Sequence, residues 1–77
     1  MNATDAALYD LRGLKCPLPV LKLRKRLVAM RPGDSLYIET TDPLAVIDIP
    51  HFCNENGHEL VATQVTEGGH RFLVRKG

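Results

Sequence analysis

The 77-residue sequence predicts an α+β fold. The expected form is a two-layer α/β sandwich ordered β-α-β-α-β-β, with both helices on one face of a mixed four-stranded sheet. Three observations carry this. Two stretches repeat apolar residues at helical spacing, and each is flanked by short β-rich runs. The opening strand–helix–strand unit calls for a right-handed parallel crossover. The last two β-rich runs are separated by Thr66-Glu67-Gly68-Gly69, which makes them a hairpin.

Each element follows in order. Ala7-Leu8-Tyr9-Asp10-Leu11-Arg12 alternates apolar and polar residues and reads as a strand, punctuated by Gly13. From Pro17 to Met30, Val20, Leu21, Leu23, Leu27 and Val28 recur at helical spacing, with Lys22, Lys25 and Arg26 on the opposite side. Arg24 projects into the apolar arc, either snorkelling outward or held there for a purpose. Pro32-Gly33 is the expected stop. Asp34 to Thr40 reads as the second strand. Asp42-Pro43 is a helix start, with Asp42 as N-cap and Pro43 at the first helical position. The stripe Leu44, Val46, Ile47, Ile49, Phe52, Cys53 runs to Gly57, a C′ residue. Pro50 inside it should kink or divide the helix, with Asp48 helping to start the second half. His58 to Val65 and His70 to Arg75 are the hairpin strands.

Length and composition set limits. Residues 1–77 read as one domain, since a chain this short holds a single core with little stability to spare. There is no room for a deep substrate cavity, which favours a carrier, a binding module or an exposed reactive group. No segment approaches the roughly 18 apolar residues of a membrane span. Met1-Asn2-Ala3-Thr4-Asp5 lacks the pattern of a secretory signal, so a cytoplasmic location is expected. Two cysteines are too few for a disulfide framework, and a reducing compartment keeps them as thiols. Nothing signals an obligate dimer, so a monomer is expected.

The charge is lopsided. Residues 1–31 carry +5, residues 32–70 carry −7, and Arg71, Arg75 and Lys76 restore +3. Positive charge thus gathers on the first helix and the last strand, which suits an anionic partner or reacting group. Lys22, Lys25, Arg26 and Arg31 could be a nucleic-acid footprint. The chain has no Trp and only 5% aromatic residues, so stacking readout of RNA has no support. Protein docking through Lys22, Lys25 and Arg26 is the expectation, without direct nucleic-acid or membrane contact.

The chemistry centres on Gly13-Leu14-Lys15-Cys16-Pro17-Leu18-Pro19-Val20. With Pro17 at the first helical position, Cys16 is the expected N-cap, held extended by the proline after it. Pro17 and Pro19 have no N–H, so Leu18 and Val20 are the amides left to face the sulfur. A thiol at a helix N-terminus has a lowered pKa, and its thiolate is the nucleophile. Lys15 and Arg24 add positive charge. The two prolines stiffen what reads as an exposed tip. No histidine or carboxylate is placed by sequence to act as a base. The pattern therefore points to a sulfur loaded and unloaded by partners. The competing reading is a small buried cysteine at a strand–helix joint.

Three stretches carry a family resemblance: "LRGLKCPLPVLKLRKRL", then "PGDSLYIETTDPLAVIDIPHFCNENGHELVATQ", then "RFLVRKG". From about Leu8 to the C-terminus the chain resembles the TusA (SirA-like) family of sulfur carrier proteins, whose signature is Cys-Pro-x-Pro at a helix start. The resemblance implies the βαβαββ sandwich and a persulfide formed on Cys16. The implied donor is a cysteine desulfurase or rhodanese-type enzyme, and the implied acceptor is another protein. In the family this sulfur feeds tRNA 2-thiouridine synthesis, molybdenum-cofactor synthesis or sulfur oxidation. By position, Cys16, Pro17 and Pro19 form the reactive motif, Arg24 is a basic residue near it, and Asp42 opens the second helix. No cofactor is implied. The chain departs from the tRNA-thiolation members at Leu18, where they carry an acidic residue between the prolines. Leu18 thus bears on partner choice.

Cys53, on the apolar stripe of the second helix, reads as structural, with a resolving thiol for Cys16 as the sharper alternative. His51, Cys53 and His58 fit no standard zinc spacing, so no metal site is expected. His58 reads as structural at the start of the third strand, and His51 as a helix-surface residue. The rival function is a regulatory or interaction module with an inert thiol.

Overall fold

The computed structural model describes residues 7–77. The N-terminal reading over Met1 to Asp5 lies outside the described residues. The elements are β1 (Ala7–Asp10), α1 (Leu18–Val28), β2 (Ser35–Thr40), α2 (Ala45–Glu55), β3 (Glu59–Val65) and β4 (His70–Arg75), in the predicted order. They form one sheet in the order β1-β2-β4-β3. β1 runs parallel to β2, and the other pairings are antiparallel.

The register explains why both helices share a face. Leu36 lies opposite Val74, and Ile38 opposite Phe72. All four are buried, as is Thr40. Alternation along a strand puts these residues on one side of the sheet. Leu23 and Leu27 of α1 and Ala45, Ile49, Phe52 and Cys53 of α2 complete the core against them. Each large apolar side chain buried there contributes about 1.5–3 kcal/mol relative to exposure. The other face carries Tyr37 and Leu73, and across it Arg71 Nη2 meets Glu39 Oε1 at 3.0 Å. β3 is an exposed edge, broken by a register shift between Leu60 and Ala62. Such a bulge discourages edge-to-edge pairing.

Several boundaries differ from the pattern reading. α1 closes at Val28, with Ala29 as C-cap. Its end tightens into i→i+3 bonds from Ala29 N–H to Arg26 and from Met30 N–H to Leu27. Pro32-Gly33 therefore belongs to the turn before β2, not to the helix stop. α2 begins at Ala45 with Leu44 as N-cap and no side-chain cap, so neither Asp42 nor Pro43 takes its expected helical place. Ala45 N–H instead closes a turn onto the Asp42 carbonyl at 3.0 Å. α2 is also undivided and runs through Pro50. Its buried face holds it together, although Pro50 brings no N–H to the helix.

The end of α2 follows its sequence. Gly57 adopts φ 73, a left-handed conformation that favours glycine. The next N–H, from His58, reaches back to the Cys53 carbonyl at 2.9 Å, as in a Schellman motif. β3 consequently starts at Glu59, one residue later than read.

Candidate functional site

Parallel pairing brings the C-terminal ends of β1 and β2 side by side, so the loops after them meet. Leu11 N–H bonds to the Glu39 carbonyl at 2.9 Å, extending the ladder by one step. The chain then turns at Gly13, with φ 84. Gly13 N–H donates to Thr41 Oγ1 at 2.8 Å, and Cys16 N–H donates to Asp42 Oδ2 at 2.6 Å. Asp42 Oδ1 also accepts Leu44 N–H at 3.2 Å. One carboxylate therefore ties the loop before α1 to the turn before α2.

The sulfur has its own partner. Cys16 is exposed, and its Sγ–H donates to Asp48 Oδ2 at 2.9 Å. Asp48 lies in the first turn of α2. The Asp48 hydrogen bond, partial desolvation, and the charges of Asp48 and Asp42 together push the Cys16 thiol above its ordinary range. A charge that lowers the acidity of a neighbouring thiol favours its protonated form.

This corrects the sequence reading at several points. Cys16 is not the N-cap of α1; Pro17 is, and no side chain caps that helix. The reason is a turn that precedes the helix. Leu18 N–H bonds to the Lys15 carbonyl at 2.8 Å, and the first α-type bond runs from Leu21 to Pro17. The Leu18 amide is thus spent on Lys15 rather than facing the sulfur. The expected fall in Cys16 pKa is reversed, because a carboxylate of α2 stands beside the sulfur. Pro19 is buried, so of the two prolines only Pro17 belongs to the exposed tip, together with the 44% exposed Leu18.

A shallow groove of about 350 Å³ runs between the helices beside the sulfur. Cys16, Pro17, Val20 and Arg24 line its α1 side, and Asp48, His51, Phe52 and Glu55 the α2 side. The Arg24 guanidinium sits 5.7 Å from the centre of the Phe52 ring, so it does snorkel outward across an apolar surface. Arg26 covers the Tyr9 ring at 4.7 Å. Lys15, Lys22 and Lys25 are exposed and make no ion pair among the described residues.

Cys53 is 2% exposed in the core, and burial pushes its thiol up to about 11. His58 stacks on Phe52 with ring centres 5.7 Å apart, and its Nδ1 accepts Gly77 N–H at 3.1 Å. It ties the end of β4 to the end of α2. His51 is exposed on α2, with Nε2 3.8 Å from Glu55 Oε1. Among the described residues, no group of three or more His, Cys, Asp or Glu is placed to hold a metal ion. None of the helices there is long and apolar enough to cross a membrane.

Sequence reasoning missed Asp48 and Thr41. A usable signal existed: a parallel crossover makes the loops after β1 and β2 neighbours, so polar residues just past Thr40 must face the Cys16 loop. Asp48, six residues after Asp42, comes close only once the helix phase is known.

The fold and site define a class of small thiol proteins. The chain presents one exposed thiol, Cys16, beside a shallow open groove. Residues 8–76 match the family described as Sulfurtransferase TusA. The match spans nearly the whole chain, and the chain belongs to that family, whose general role is to carry sulfur as a persulfide.

Proposed function

We propose that Cys16 is the sulfur-bearing group of this carrier. It takes a sulfane sulfur from a protein persulfide, supplied by a cysteine desulfurase or a rhodanese-type donor, and relays it to a protein acceptor. The observation that carries the reading is access: Cys16 is exposed at the rim of a groove, while Cys53 is sealed in the core. The loading step is an exchange. Cys16 sulfur attacks the outer sulfur of the donor persulfide and forms a new S–S bond. The donor's own S–S bond breaks, and its electron pair leaves on the donor cysteine, which takes up the proton that Cys16 loses. No oxidant is needed, and the same exchange in reverse unloads the sulfur.

The remaining motif residues support this role by position. Pro17 and Leu18 flank the sulfur at the exposed tip, and Pro19 anchors the tip in the core. Arg24 offers a cation within the groove, while Lys22 and Lys25 offer exposed cations on α1 for an acidic partner surface. tRNA 2-thiouridine synthesis, molybdenum-cofactor synthesis and sulfur oxidation are the candidate destinations. An apolar Leu18 favours an acceptor that reads an apolar tip.

Intact mass spectrometry tests the reading. After incubation with a cysteine desulfurase, pyridoxal phosphate and cysteine, the protein gains the mass of one sulfur atom, and Cys16→Ser does not. A wild-type chain left unmodified by desulfurases, rhodaneses and thiosulfate alike would favour the interaction module with an inert thiol.

A further inference from the structure

The hydrogen bond from Cys16 Sγ to Asp48 Oδ2, at 2.9 Å, assigns a role to a residue of the other helix. We infer that Asp48 is the positioning residue of Cys16: it holds the sulfur of the empty carrier as a hydrogen-bonded thiol against α2 and lowers its reactivity until a partner displaces that contact. The inference deepens the reading of Cys16 as the sulfur-bearing group, but its test needs no sulfur donor.

Asp42 and Asp48 reach the same cysteine from one side. Asp42 fixes its backbone N–H at 2.6 Å, and Asp48 fixes its sulfur. A thiol has one proton to donate, and a carboxylate can only accept, so the contact exists as drawn only for S–H. Losing that proton would place two negative groups in contact. An exposed cysteine on a free carrier meets many small electrophiles and oxidants, which attack the thiolate. Holding the sulfur as a thiol protects it from them. A docking partner that occupies the groove, and so competes for Asp48, frees the sulfur where it is needed.

Other charged groups face the same space. Arg24 lines the groove from α1, and His51 and Glu55 line it from α2; Lys15 precedes Cys16 in the chain. Arg24 and Lys15 favour the thiolate and oppose Asp48.

The test is the pH profile of alkylation by iodoacetamide, followed by intact mass from pH 5 to 10 on the empty protein. Asp48→Asn keeps the shape and an acceptor oxygen but removes the charge. Its alkylation midpoint should fall by about one unit relative to wild type. A shift of one unit gives tenfold more thiolate, each about a third as nucleophilic, so alkylation at pH 7 should rise about threefold. Asp42→Asn, which touches the backbone rather than the sulfur, should move the midpoint less. Cys16→Ser, which should not react in the folded state, identifies the reacting thiol. Asp48→Ser repeats the measurement if Asp48→Asn folds poorly. A midpoint that stays put or rises in the folded Asp48 variants overturns the inference. Desulfurase loading of wild-type Cys16 is scored separately, so failure of the carrier reading is distinguishable from failure of this one.

Discussion

Cys16 and Cys53 carry the same side chain in two opposed settings. Both thiols are harder to ionise than a free cysteine, for different reasons. Cys16 stands at the surface and is held protonated first of all by the hydrogen bond to Asp48. Cys53 is held protonated by desolvation alone, in the core of α2. The direction of the shift therefore does not distinguish the exposed sulfur from the buried one. What differs is how the restraint is removed. A carboxylate contact at an exposed site can be displaced by a partner, whereas a desolvated thiol is released only by opening the core.

The largest expected effect tests that contrast directly. In native protein a small neutral alkylating reagent should modify Cys16 and leave Cys53 untouched. Cys53 should react only through opening of the core, which costs several kcal/mol and slows labelling on the order of a thousandfold. Peptide mapping after timed labelling measures both rates, and comparable rates at the two sites would erase the distinction.

Substitution should then split function from stability. Cys16→Ser should abolish sulfur loading and change stability by no more than about 0.5 kcal/mol, as for an exposed site. Cys53→Ser should keep loading but cost about 1–3 kcal/mol in urea unfolding, because it leaves a buried hydroxyl to be satisfied. Loading lost in Cys53→Ser, with the fold intact, would point instead to a resolving thiol.

Alkaline pH gives a smaller effect with a defined sign. An unfolded cysteine ionises near pH ~8.5, and Cys53 stays protonated in the folded state up to about 11. The folded pKa is the higher one, so the stabilisation is complete below about pH 8.5 and is lost as pH rises through 11. Wild type should therefore lose more stability than Cys53→Ala between pH 8 and 11, by on the order of 2 kcal/mol. Parallel curves would mean that Cys53 is not desolvated.

The smallest effect concerns the tether. Asp42→Ala removes the acceptor for Cys16 N–H and Leu44 N–H. It should lower stability by about 1–2 kcal/mol. The loop should also loosen, seen as faster amide exchange at Cys16, with α2 amides unchanged.

The architecture was readable because periodicity and punctuation agree along this chain. The Leu36–Ile38 alternation, the four-residue turn before His70 and the left-handed Gly57 each state their element locally. The reading failed where a cap competes with a turn. Cys16-Pro17 and Asp42-Pro43 both look like helix starts, and in both cases a turn closes before the helix begins. The proline pattern was read as a device of α1 alone. Asp42 and Asp48, which hold the cysteine, and Thr41, which holds Gly13 of its loop, come from the other side of the parallel crossover. No local pattern records that meeting, because it is a product of strand pairing and helix phase.

The cysteine hangs at the head of one helix, and both of its tethers, Asp42 and Asp48, lead to the other. The sulfur thus acts as a gauge of how the two helices are seated. A truncation such as Ile49→Val, wholly buried and one residue from Asp48, would be felt at Cys16 as a change in the alkylation midpoint, although Ile49 does not line the groove. A load placed between the two helices would in turn reach the chemistry of this exposed thiol.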